Sequence, residues 1–212
     1  MTRWHGLFTA ALACAALAAS AQELQPGRDY GVVTPPQKTD DPSKIVVIEF
    51  FSYACPHCNA FNPSLTLWAN KLAKDVRLER EAVIFGRPPW QKLAQIHYAL
   101  QVIGKAEQLS PSLYGALHVE RMNWQTDADI IDWVAAHGVN RDEFAGAFNS
   151  FSMRTYVARG DQLATAYQVQ AVPTIVVDGK YLLPIADNGD FTSQLAVVDR
   201  LIEKARAERK TP

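Results

Sequence analysis

Six apolar residues and one acid form an unbroken run, Ile45-Val46-Val47-Ile48-Glu49-Phe50-Phe51, and after three intervening residues come two closely spaced cysteines, Cys55-Pro56-His57-Cys58. A β-branched and aromatic run of this kind suits a strand buried on both faces, as in a central parallel position of a sheet. From Pro56 to Leu72 the apolar residues Phe61, Leu65, Trp68 and Leu72 recur at helical spacing. The cysteines therefore lie where a strand hands over to a helix, and Pro63 is expected to kink that helix.

The rest of the chain extends this α/β pattern. Gln22 to Lys44 carries Pro26, Pro35, Pro36 and Pro42 and reads as an extended lead-in. Val76 to Phe85 alternates as a second strand with Val76, Leu78, Arg80 and Ala82 on one face, which leaves Arg80 as a charge on an apolar side. Leu93, Ile96, Leu100 and Ile103 then line a helix closed by Gly104, and Thr126 or Asp127 caps a helix bearing Ile130, Ile131 and Trp133 that stops at Gly138. Asn140 caps a short helix through Phe144 and Phe148, and Met153 to Gln168 reads as a longer one. Residues 89–159 thus read as an all-helical insertion between residues 22–88 and residues 160–212. Strands return as a hairpin, Thr174 to Leu183 around an Asp178-Gly179 turn, and a final helix from Asp190 carries Leu195, Val198, Leu201 and Ile202 on one side.

Residues 1–21 stand apart from this core. Arg3 gives a positive start, Leu7 to Ala18 is small and apolar, and Ala19-Ser20-Ala21 has the small-x-small form of a cleavage site, so the segment reads as a secretory signal. The run is too short for the roughly 18 to 20 apolar residues that span a bilayer. Cys14 would leave with it, and Ala11-Leu12-Ala13 does not space a lipid-attachment signal correctly. With 48% hydrophobic residues among 212 the remainder can bury a sizeable core, and a net charge of −1 with mixed signs gives no nucleic-acid footprint or polybasic membrane patch.

Three readings of Cys55 and Cys58 compete. A structural zinc site needs four ligands, and here no second cysteine pair exists while His97, His118 and His137 are scattered. A structural bridge closing so short a ring contributes only about 2 kcal/mol before strain is subtracted. A redox-active dithiol explains both the pairing and the position in an exported chain.

That position has chemical consequences. Unpaired N–H groups and the positive end of the helix dipole favour a thiolate at a helix start, so Cys55 is expected to ionise below the free-thiol value and to be the exposed nucleophile. Cys58, nearly one turn inside, can attack the Cys55 sulfur of a mixed disulfide. Pro56 fits a first helical position, where its missing donor costs nothing. His57, as donor or partial cation, would stabilise the reduced state and make the disulfide a stronger oxidant.

The segment Glu49 to Cys58 resembles the active-site segment of the DsbA family of periplasmic oxidases, and the likeness extends through Ala171-Val172-Pro173-Thr174 and Asp178-Gly179-Lys180-Tyr181. The resemblance implies a thioredoxin-like α/β fold with an inserted all-helical domain. It implies a cis-proline at Pro173 beside Cys55, with Val172 offering a backbone edge to an extended substrate. It also implies a buried acid, Glu49, beneath the site. Arg80 stands where a basic residue is often found across from that acid, and as a permanent cation it would make Glu49 a weaker proton acceptor. The expected activity is oxidation of reduced or unfolded exported polypeptides in the periplasm, with Cys58 releasing the substrate as a disulfide. Reoxidation would come from a DsbB-type, quinone-linked membrane partner, and the chain would be a monomer with no bound cofactor and no metal. A reductase or isomerase on the same scaffold, or a peptide-binding chaperone module, are the alternatives. Isomerases of this kind usually add a dimerisation domain, for which Gln22 to Lys44 is too short.

Overall fold

The computed structural model describes residues 23–186 and 188–210. The signal segment expected over residues 1–21 lies outside them. In chain order, β1 (Gly31–Val32) and β2 (Ile45–Phe51) precede α1 (Pro56–Ala69) and β3 (Val76–Ala82). Five helices follow: α2 (Pro88–Val102), α3 (Ala106–His118), α4 (Asp127–Ala136), α5 (Arg141–Phe148) and α6 (Met153–Ala166). The chain then returns through β4 (Thr174–Val177) and β5 (Tyr181–Pro184) to α7 (Phe191–Lys210).

The strands form one sheet in the order β1-β5-β4-β2-β3. β2 is flanked on both edges, parallel to β3 and antiparallel to β4, so the central position expected for it is parallel on one side only. Every residue of β2 is buried, because packed layers cover both of its faces. Val47 joins Ile175 and Val177 against Phe61 and Leu65 of α1 and Leu195, Val198 and Leu201 of α7. On the opposite face Ile48 and Phe50 meet Ala164, Tyr167 and Val176. A third core lies inside the helical region, and it includes Phe51, Tyr53, Cys55 and Cys58 together with Ile96, Leu113 and Phe144. The two cysteines therefore sit on the seam between sheet and helical insertion.

Several local expectations are refined. Thr126 is the cap of α4, accepting from Asp129 N–H in a reciprocal capping box, and Asn140 caps α5 by accepting from the N–H groups of Asp142 and Glu143. α1 runs through Pro63 and ends at Ala69, short of Leu72. α3 has no counterpart among the helices read from the sequence. Ser110-Pro111-Ser112 breaks its pattern, yet Leu109, Leu113 and Ala116 are buried on one face and Pro111 is accommodated within it. α6 runs across residue 159, where the insertion was expected to close.

The close seating of α6 on β3 requires a glycine. A Cβ on Gly160 would lie 2.3 Å from the Ala82 carbonyl oxygen and 2.5 Å from the Tyr98 hydroxyl, so backbone must move to admit it. Gly160→Ala is expected to destabilise the protein by about 1–3 kcal/mol, the usual cost of overpacking, despite the better helix propensity of alanine. A denaturant midpoint equal to or above that of the wild type would contradict this packing.

Candidate active site

Cys55 is the N-cap of α1, with φ −84° and ψ 119°, and Pro56 occupies the first helical position. A tight turn delivers it there: Cys55 N–H donates to the Ser52 carbonyl at 3.0 Å, and the Ser52 hydroxyl accepts from Ala54 N–H at 3.3 Å. Both cysteines are free thiols. Pro56 and His57 lie exposed on the outer face of the turn, whereas Cys58 points inward.

The expectation of an exposed nucleophile needs correction. Cys55 is only 6% exposed, against 0% for Cys58. The cover comes from the loop before β4, where the Val172 carbonyl accepts from the Cys55 thiol at 3.5 Å. Val172 is half-buried and Pro173 buried, and the peptide bond between them is cis. The loop is held by Thr174, whose hydroxyl donates to the Ala171 carbonyl at 2.8 Å.

The two sulfurs are pushed in opposite directions. Cys55 is lowered to about 6, first because the Cys58 thiol donates to its sulfur, with further help from the N–H groups of Cys58 and His57 and from the charge of His57. Burial opposes this shift and does not overcome it. Cys58 moves well above the ordinary thiol range, chiefly through burial, and also because its proton is engaged with Cys55 and the charges of Cys55 and Glu49 disfavour a second anion. One sulfur is thus disposed to be the thiolate, and the other holds the proton that stabilises it.

Beneath the dithiol, Glu49 and Arg80 occupy facing register positions on β2 and β3. Arg80 Nε lies 3.1 Å from Glu49 Oε2, so the ion pair expected from strand alternation is formed. Burial nevertheless pushes Glu49 up to about 7, and Arg80 opposes without prevailing. The anticipated weakening of Glu49 as a proton acceptor by a permanent cation is therefore outweighed by desolvation.

The helical insertion contributes groups that sequence reasoning missed. His97 of α2 donates from Nε2 to the Arg80 carbonyl at 3.2 Å, and its Nδ1 lies 3.4 Å from the Tyr53 hydroxyl. Burial lowers His97 to about 4, so it is a neutral strut. His118 of α3 donates from Nε2 to the Tyr53 carbonyl at 2.8 Å. Two of the three scattered histidines thus converge on Tyr53, two residues before Cys55. His97 could have been found from its place beside Leu93, Ile96 and Leu100 on the buried stripe of α2, whereas His118 carried no such mark. Among the described residues, no group of three or more His, Cys, Asp or Glu could hold a metal.

A dithiol at the start of a helix, fed by a central strand and faced by a cis-proline loop, defines a thioredoxin-type dithiol oxidoreductase. The DSBA-like thioredoxin domain matches residues 46–196. The thiol:disulfide interchange protein DsbA of Pseudomonas aeruginosa is 36% identical over 207 residues, spanning 96% of this chain and 98% of that protein. Its counterpart from Bordetella parapertussis is 37% identical over 203 residues, spanning 94% and 95%. The crystal structure of Pseudomonas aeruginosa DsbA aligns with a TM-score of 0.81 at 36% identity, covering 90% of this chain and 99% of that one. The oxidoreductase DsbA from Xylella fastidiosa gives 0.78 at 29%, covering 87% and 98%. The chain belongs to the DsbA family and is a thiol:disulfide interchange oxidoreductase with the thioredoxin-like fold and inserted helical region that its sequence implied.

The lowered Cys55 has a defined linkage. A group that ionises below its unfolded value stabilises the fold fully above that value, about 8.5 for a free thiol. The contribution is lost as pH falls through about 6, while Cys58, shifted upward, stays a thiol across this window. The melting temperature of the reduced form minus that of the oxidised form should therefore fall on acidification from about pH 8 to about pH 5, in step with loss of thiolate absorbance. A constant difference would contradict the assignment of Cys55 as the anion.

Proposed function

We propose that this protein is an exported, periplasmic oxidase that introduces disulfides into reduced, unfolded polypeptides, with Cys55 as the sulfur that meets the substrate. The observation that carries the reading is the place of Cys55 as N-cap of α1, where the Cys58 thiol and the first N–H groups of the helix favour its anion. Whatever stabilises the dithiol form makes the disulfide form a stronger oxidant. Pro56 and His57 act as tuning residues, the first by fitting the helix start and the second through its charge.

In the cycle, a substrate thiolate attacks Cys55 Sγ, the Cys55–Cys58 bond breaks, and Cys58 leaves with the electron pair and takes a proton. A second substrate thiolate then attacks the substrate sulfur of the mixed disulfide, forming the product disulfide and expelling Cys55 as the thiolate. Electron balance corrects the expectation that Cys58 releases the product: attack by Cys58 on Cys55 would return the substrate reduced. That attack instead serves reoxidation, where Cys58 displaces a partner sulfur from Cys55. By family resemblance the partner is a DsbB-type, quinone-linked membrane protein, which leaves this chain with no cofactor of its own to bind. Val172 and Pro173 cover the Cys55 sulfur, which suits them to receive the substrate backbone as it approaches. The apolar leader ending at Ala21 supports export, and the reading takes the mature protein as a monomer.

Cys58→Ser cannot form the enzyme disulfide and should lose net oxidation, and a glutathione adduct supplied on its Cys55 should persist because no Cys58 thiol displaces it, while Cys55→Ser should form no such adducts and show no turnover. Mass spectrometry of trapped adducts, with a reduced-substrate refolding assay, reads both results. Retained turnover in Cys55→Ser would overturn the proposed roles.

A further inference from the structure

Arg80 is shared between two carboxylates. Its side chain is 5% exposed, and while Nε lies 3.1 Å from Glu49 Oε2, Nη1 lies 3.1 Å from Glu107 Oε2. Nη2 donates to the Thr66 hydroxyl at 3.4 Å. A guanidinium given wholly to one carboxylate would use two parallel N–H groups in a fork. Here Glu49 Oε1 is buried without a hydrogen-bond partner and Arg80 Nε donates no well-aligned bond, so the fork on Glu49 is incomplete.

The two acids stand in different solvents. Glu49 is buried, whereas the Glu107 side chain is 67% exposed on the first turn of α3. One cation therefore faces a carboxylate on the surface and an acid in the interior. The groups facing Glu49 are Arg80 from β3, Cys55 and Cys58 from α1 and its cap, Tyr53 after β2, and Glu107 and Tyr114 from α3. Of these, Arg80 favours the Glu49 anion, and the charges of Glu107 and Cys55 oppose it.

We propose that Glu107 is a positioning residue for the dithiol: by holding one arm of Arg80 it leaves Glu49 short of positive charge, and so fits Glu49 to exchange a proton with Cys58. In the oxidising direction, Glu49 gives its proton to the Cys58 thiolate released when the enzyme disulfide opens, and remains as a carboxylate beside Arg80. During reoxidation the proton returns to Glu49 as Cys58 attacks the Cys55 sulfur. The helical insertion thereby reaches the chemistry from the surface, through one arginine. This inference rests on the dithiol reading above and adds the control of its proton.

The test follows Glu49 directly. In reduced full-length protein with carboxyl-labelled glutamate, NMR titration identifies Glu49 by the signal missing from Glu49→Gln. In Glu107→Gln, Arg80 should turn to Glu49, and the Glu49 midpoint should fall by about half a pH unit or more, the scale of one unit charge several ångströms away in a largely solvated setting. The pH profile for release of glutathione from a mixed disulfide on Cys55, a step made by Cys58, should shift in the same direction. A Glu49 midpoint that stays put or rises in Glu107→Gln overturns the inference, and if Cys55 and Cys58 still exchange there, the oxidase reading survives it. Turnover in Cys55→Ser would overturn both.

Discussion

The closeness of two sulfurs at the start of α1 organises this site. The Cys58 thiol donates to Cys55, and this is the largest cause of the low Cys55 value and a direct contributor to the high Cys58 value. The arrangement exists because α1 begins at Cys55, so that a residue nearly one turn later lies beneath the capping sulfur. Burial works against the anion, and the donors at the helix start prevail over it. A cysteine placed equally deep in an apolar core without such donors would be raised and inert.

The remaining structure holds that helix start in place. β2 fixes the height of the active-site turn by pairing on both edges, and α1 and α7 share one face of the sheet. The helical insertion grips the turn from above through His118 on the Tyr53 carbonyl and His97 near its hydroxyl. Ion pairs differ greatly in importance here. Exposed pairs such as Lys92–Asp127 contribute at most about 1 kcal/mol each. Glu49 and Arg80 are withdrawn from water, where the desolvation cost is several kcal/mol per ion, so small changes in how Arg80 is shared have large effects on the Glu49 proton.

Local features were legible in the sequence and long-range ones were not. The run Ile45 to Phe51 and the stripe Phe61, Leu65 placed the cysteines at a strand-to-helix junction, because burial periodicity is written into adjacent residues. Alternation along β3 exposed Arg80 as a charge on an apolar face, and the pairing register then set it opposite Glu49. The cover over Cys55 comes from a residue 117 positions away, and no spacing rule reports that. Glu107 carried no mark in the sequence, because α3 itself was hidden by Ser110-Pro111-Ser112. Glu81 was missed for a similar reason: it lies on the other face of β3 from Arg80, and its burial depends on Tyr98 of α2 donating to it at 2.9 Å.

The central claim is that the fold favours the dithiol and makes the disulfide the oxidant. Equilibration of the protein with mixtures of reduced and oxidised glutathione measures this most directly, by the fraction of Cys55–Cys58 disulfide at each ratio. The account predicts a potential well above that of thioredoxin, roughly −270 mV, so that the protein remains reduced until the buffer is strongly oxidising. A potential at or below thioredoxin's would mean that the Cys55 anion is not favoured as described.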